Sequence, residues 1–137
     1  MKISVTHGGP VTQNAIEKEI KEKAKEWVDE YGEDFLVELI DVYLQDTPNR
    51  VTQLRRALDG GDRETLVREA HTLKSSSANV GAMGLSALAK EMEAAGRSGK
   101  IEIVAGEMTR FEEEFVLVKA ALEAVLGAPE KFFDRER

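Results

Sequence analysis

The sequence contains no cysteine, and that absence removes disulfide scaffolds, thiolate metal sites and cysteine nucleophiles together. Histidine is nearly as scarce: there are two, His7 and His71, with no second histidine at ligand spacing from either, so a histidine-built metal site lacks donors. With three prolines and 6% aromatic residues the composition points to helices. Basic residues are in deficit, 19 against 26 acidic, for a net charge of −7 and a pI near 5.0. A broad basic surface for nucleic acid or an anionic membrane is thereby disfavoured. No apolar run approaches the roughly 18 residues of a membrane span, and Met1 to Pro10 holds no stretch that could serve as a signal peptide. The expectation is a cytoplasmic protein without a membrane or nucleic-acid partner. No Walker loop or glycine-rich ATP lid occurs; the glycines at 60–61, 81–84 and 96–99 punctuate helical patterns.

What is present fits one domain. At 137 residues the chain has little left over for a second lobe. Its 42% apolar residues can build a core, and its 33% charged residues exceed the usual quarter or so. Residues 1–13 include Gly8-Gly9-Pro10 and no helical period, and read as a flexible lead-in. Across 14–32, Ile16, Ile20, Ala24, Trp27, Val28 and Tyr31 recur at three- and four-residue steps among charges, an amphipathic helix ended by Gly32. A second helix from Glu33 to about Asp46 buries Phe35, Leu36, Leu39, Ile40 and Tyr43; Pro48 then opens a third with Val51, Leu54 and Leu58, stopped by Gly60-Gly61.

Asp62 is the expected N-cap of the next helix, with Gly81 as its stop. Another, about Ala82 to Ala95, sets Leu85, Leu88, Ala89 and Met92 on one face before Gly96 and Gly99. The last and longest carries Ile101, Val104, Met108, Phe111, Phe115, Val118, Leu122 and Val125, the repeat of a helix packed along others; the alternative is a two-chain coiled coil. Gly127 and Pro129 end it, and 128–137 form a charged tail. Short connections imply antiparallel neighbours. Residues 33–127 are thus expected to form an all-α, up-down antiparallel helical bundle, with the 14–32 helix added.

The chemistry concentrates in Asp62 to Ala82. Leu66, Ala70, Leu73, Ser77 and Val80 fall on one stripe at steps of four, three, four and three, which must face the core. His71 then points to solvent, with Glu64, Val67, Arg68, Lys74, Ser75 and Ala78 as neighbours one and two turns away. Lys74 reaches the space above the ring, where its charge opposes a cationic imidazole and pairs with the oxygens of an arriving phosphoryl group. Ser75, Ser76, Ser77 and Ala78 are poor for helix propensity, yet they let another surface approach closely.

Ala70 to Ala82, AHTLKSSSANVGA, resembles the signature of histidine-containing phosphotransfer (HPt) domains, and LSALAKEMEAAGR (Leu85 to Arg97) resembles that family's next helix. The similarity spans about residues 33–126 and implies that family's antiparallel four-helix bundle for 33–127. It implies that His71 is the phosphoacceptor and Lys74 steadies the phosphoryl group. The position after the lysine is most often glycine in the family; here it is Ser75, whose hydroxyl narrows the space beside the histidine or donates to the phosphoryl group. Lys90, Glu93 and Arg97 share an edge facing the site, and Val67, Ala78 and Met83 form an apolar docking patch ringed by Glu64, Arg68, Lys74 and Lys90. The implied role is a monomeric relay protein that takes a phosphoryl group from one receiver-domain aspartate and passes it to another, downstream of a hybrid sensor histidine kinase. It would have no autokinase activity and no cofactor of its own, magnesium residing in the receiver. Three other readings stand beside it: an adaptor bundle with an idle His71, metal binding by His71 with Glu64, and a kinase dimerisation helix. The last lacks an ATP-binding domain and has Thr72 where such kinases place an acidic or polar residue.

Overall fold

Thr12 opens the chain's first helix: its hydroxyl accepts the Ala15 N–H at 3.0 Å, satisfying one of the donors a helix start leaves bare. The computed structural model describes residues 12–127; the lead-in before Thr12 and the tail after Gly127 lie outside them. Five α-helices follow: α1 (Gln13–Tyr31), α2 (Glu33–Gly60), α3 (Arg63–Asn79), α4 (Met83–Arg97) and α5 (Ile101–Gly127). Among the described residues there is no strand, and no helix is long and apolar enough to cross a membrane.

The helices expected on either side of Pro48 are one, α2. A proline inside a helix removes one hydrogen bond and costs about 3 kcal/mol. Against that cost, the buried stripe Leu36, Ile40, Tyr43, Thr47, Leu54, Ala57 keeps one phase across the proline. Burying each large member contributes about 1.5–3 kcal/mol, so holding both halves on the same face outweighs the lost bond. Asp46 and Arg50, one turn apart, also bridge the position at 2.6 Å.

At the α1–α2 corner the expected burial gives way. Ile16, Ile20 and Ala24 are in the core, but Tyr31 and Phe35 are exposed. With half-buried Trp27 they form a cluster of three mutually tilted rings instead, centroids 4.9 to 5.7 Å apart. The apolar stripe of α1 turns off the core where the chain reverses at Gly32.

Helix α2 packs on α3, α3 on α4, α4 on α5 and α5 back on α2, while α1 lies against α2 and α5. The α5 stripe is buried within this arrangement at Val104, Met108, Phe111, Val118, Leu122 and Val125. That seam is therefore covered by the chain's own helices, which removes the reason to invoke a coiled-coil partner for it.

One α4–α5 contact carries a pH signature. Burial pushes the Glu107 carboxyl up from 4.5 to about 7, a hydrogen bond and repulsion from Glu91 add to this, and Arg110 partly opposes it. The folded state then holds a proton the unfolded chain releases near 4.5, so this group's contribution falls as pH rises from about 4.5 through 7. Glu107→Gln is expected to raise stability at pH 8 by about 1–2 kcal/mol and to flatten the decline between pH 5 and 8. Urea melts across that range give the check, and parallel curves for the two proteins would refute it.

Candidate functional site

Helix α3 begins where expected: the Asp62 side chain accepts the Thr65 N–H at 3.1 Å. Its stripe Leu66, Ala70, Leu73 and Ser77, with Val80, is buried. Ser77 has a polar reason to be there. Its hydroxyl shares a 2.8 Å hydrogen bond with the Tyr43 hydroxyl in the core, where burial pushes the phenol up to about 12. From α4, the Ser86 hydroxyl donates to the Lys74 carbonyl at 2.8 Å, pinning the two helices beside the site. His71 leaves α3 on the other side with its side chain 60% exposed.

The centre of the site is Glu93 on α4. Its side chain is only 9% exposed, and three groups converge on it: His71 Nδ1 at 2.9 Å, Lys74 Nζ at 3.0 Å and Arg97 Nη2 at 2.7 Å. Burial alone would raise this carboxyl's pKa; hydrogen bonds from Arg97, Lys74 and His71, with the charge of Lys74, reverse that and hold it at about 2. Glu93 is thus a carboxylate at neutral pH and has no proton to give. The proton in the His71–Glu93 bond belongs to Nδ1, which fixes the neutral ring as the Nδ1–H tautomer and leaves the lone pair on Nε2. The ring is held at Nδ1 while the side chain stays 60% exposed.

The role expected for Lys74 changes in one respect. Its ammonium is ion-paired with Glu93 and does not stand over the ring as an isolated charge, so the argument that it opposes a cationic imidazole loses its premise. Lys74 and Arg97 together bring two positive charges against one carboxylate, so the cluster can take a further anionic group.

Of the other residues singled out in the sequence, Glu64, Val67 and Arg97 line a groove of about 580 Å³ with Arg63. Arg68 turns along its own helix to the Thr65 hydroxyl, 3.4 Å away, and to Glu69, 4.0 Å away. The Ser75 hydroxyl donates to the Thr72 carbonyl at 3.3 Å, so it is engaged with its own backbone. Ala78 and exposed Met83 line a second groove with residues of α1. Lys90 shares the edge of α4 but not the network: it is exposed and has no polar partner among the described residues. Nor do the described residues hold any cluster of three or more acidic or histidine side chains placed for a metal ion.

Sequence reasoning placed Glu93 on the right edge and missed its burial. The signal was there: Glu93 follows Ala89 by four residues and precedes Gly96 by three, and both neighbours are buried. Missed altogether was Glu69, a second buried acid, which Arg50 of α2 reaches at 2.9 Å.

Comparison with known proteins gives a family and a similar fold. The family model for the Hpt domain matches residues 38–128. Among solved structures, the chain is similar to histidine-containing phosphotransfer protein B (HptB) from Pseudomonas aeruginosa PAO1, with a TM-score of 0.71 and 29% identity over 76% of this chain and 90% of that one. No curated protein sequence matches the chain.

Proposed function

The chain belongs to the Hpt domain family, and from that premise we propose that His71 is its phosphoacceptor. The protein is a phosphocarrier whose role is histidine phosphotransfer in a phosphorelay, working with receiver domains and kinases. The observation that carries the His71 assignment is the bond from its Nδ1–H to ionised Glu93, which directs a bare Nε2 to solvent.

The step follows from that geometry. The Nε2 lone pair attacks the phosphorus of a receiver's aspartyl phosphate in line; the N–P bond forms as the P–O bond to the acyl oxygen breaks, and the receiver regains its carboxylate. The ring gains positive charge as the bond forms, and the Glu93 carboxylate at Nδ1 stabilises it. Both phosphorylated species are high in energy, so the group can move on to a second receiver. Lys74 steadies the phosphoryl oxygens, exchanging part of its bond to Glu93 for them. Magnesium and most charge-stabilising groups belong to the receiver on this reading. With the donor supplying the activated phosphoryl group, the carrier needs neither ATP nor autokinase activity. We read α2–α5 as an up-down antiparallel four-helix bundle and α1 as an added helix, and the protein as a cytoplasmic monomer downstream of a hybrid sensor kinase.

The test is to incubate the chain with a phosphorylated receiver domain and characterise the transferred label. It should be acid-labile and alkali-stable, as expected for a phosphoramidate, and map to the peptide containing His71. An unlabelled chain would leave an adaptor bundle as the better reading, and label on another peptide would displace His71. Lys74→Ala should slow transfer about tenfold, the weight of one charge-assisted hydrogen bond. Stopped-flow or quench-flow transfer at an unchanged rate would remove Lys74 from the mechanism.

A further inference from the structure

Two grooves flank His71 along α3. Glu64 lies seven residues before it and Ala78 seven after, so each groove is reached about 10 Å from His71 along one helix face. The first groove presents Arg63 and Arg97 beside the carboxylate of Glu64, with Arg97 already bonded to Glu93 at 2.7 Å and Arg63 to the Arg97 carbonyl. The second, about 450 Å³, has an apolar edge of Ala78 and Met83 and presents Glu19, Glu22 and Glu26 of α1 against one ammonium, Lys23. That ammonium is already held, 3.2 Å from Glu26 and 5.2 Å from the centre of the Trp27 ring. The surface is therefore uneven in charge, its acidic end on α1, with His71 between the two grooves.

Helix α1 is seated firmly enough to be part of this surface. The Trp27 indole donates to the Asn79 carbonyl at 2.6 Å, and the Glu19 carboxylate accepts a backbone hydrogen bond from Met83. Gly81 lets the backbones close: at φ +87°, a Cβ there would stand 2.8 Å from Lys23 Cβ and 2.9 Å from the Glu19 carbonyl oxygen. Yet α1 lies wholly outside residues 38–128, the part that makes the chain a family member. It supplies the acidic end of a surface whose chemistry lies elsewhere.

We propose that α1 selects the partner: Glu22 and Glu26, beside exposed Met83, receive a lysine or arginine side chain of the receiver domain that docks over His71. A receiver docked end-for-end would leave the acidic groove without its cation, so the uneven charge fixes orientation as well as choice. This proposal rests on the phosphotransfer reading above.

The experiment uses the full chain and, from a panel of purified phosphorylated receiver domains, the one that labels it fastest. Glu22→Lys combined with Glu26→Lys should lower kcat/KM for transfer about tenfold at low salt, through KM, and weaken its salt dependence. The Gln double variant should lose about threefold in the same direction. Labelling of His71 by phosphoramidate, too small to reach α1, should be unchanged in both. Receiver-dependent transfer at the parental rate and salt dependence overturns the role of α1 while phosphotransfer stands. An equal loss with phosphoramidate places the effect in the fold and overturns it too. A parent chain labelled by neither donor overturns the phosphotransfer reading and this proposal together.

Discussion

Replacing His71 with glutamine is expected to abolish phosphoryl acceptance while leaving the protein folded. The amide nitrogen of glutamine has its lone pair delocalised into the carbonyl, so no nucleophile remains at the position of Nε2. The side chain is 60% exposed and outside the core, and Glu93 keeps Lys74 and Arg97 as partners when the imidazole is gone. The stability change should stay within about 1 kcal/mol, the net weight of the one hydrogen bond lost to Glu93. Thermal melts establish the fold, and label transfer from a phosphorylated receiver then reads the chemistry alone. Label retained at the parental level would disprove the assignment. The chain's other imidazole, His7, lies outside the described residues and would become the first place to look.

How far the sequence reaches depends on whether a feature is local. The α5 stripe from Val104 to Val125 and the α3 stripe from Leu66 to Val80 are periodicities within one helix, and their apolar positions follow from helical geometry, though buried Glu69 does not. The exposure of His71 is legible for the same reason. Pro48 misled because a local rule, that proline starts or breaks helices, was applied where the apolar phase runs on unbroken from Leu36 to Ala57. Tyr31 and Phe35 misled because periodicity identifies a face and cannot say how far along a helix the neighbour extends. The network at Glu93 depends on something else: the register between α3 and α4, which brings together residues 22 apart in the chain. That register is set by contacts such as Gly96, read from sequence as a helix end. It lies inside α4, where an added Cβ would come within 2.6 Å of Leu66 Cδ2. A glycine permitting close approach and a glycine ending a helix look alike in a single sequence.

Glu93 is where that register has its largest consequence. Glu93→Ala should slow transfer by about 10- to 100-fold, because it frees the His71 ring to turn, leaves either tautomer available, and removes the charge opposing the developing imidazolium. Glu93→Gln is the sharper variant. Its carbonyl oxygen can still accept from one partner, but its amide group sets donors against the donors of the others, so a smaller loss in the same direction is expected. Stability moves separately. The folded carboxyl at about 2 lies below its ordinary 4.5, so its contribution is present in full above about 4.5 and is lost as pH falls toward 2. With Lys74 and Arg97 partly exposed and screened by solvent, that contribution is about 1–2 kcal/mol at pH 7, and the parent and Glu93→Gln stability curves should converge near pH 2. Glu93→Asp separates charge from position: it keeps the carboxylate but draws it back by about one carbon–carbon bond, 1.5 Å, from Nδ1. If Glu93 positions the nucleophile, the aspartate variant should retain much of the stability above pH 4.5 and still transfer slowly. Transfer at the parental rate in all three variants would reduce Glu93 to an anchor between α3 and α4.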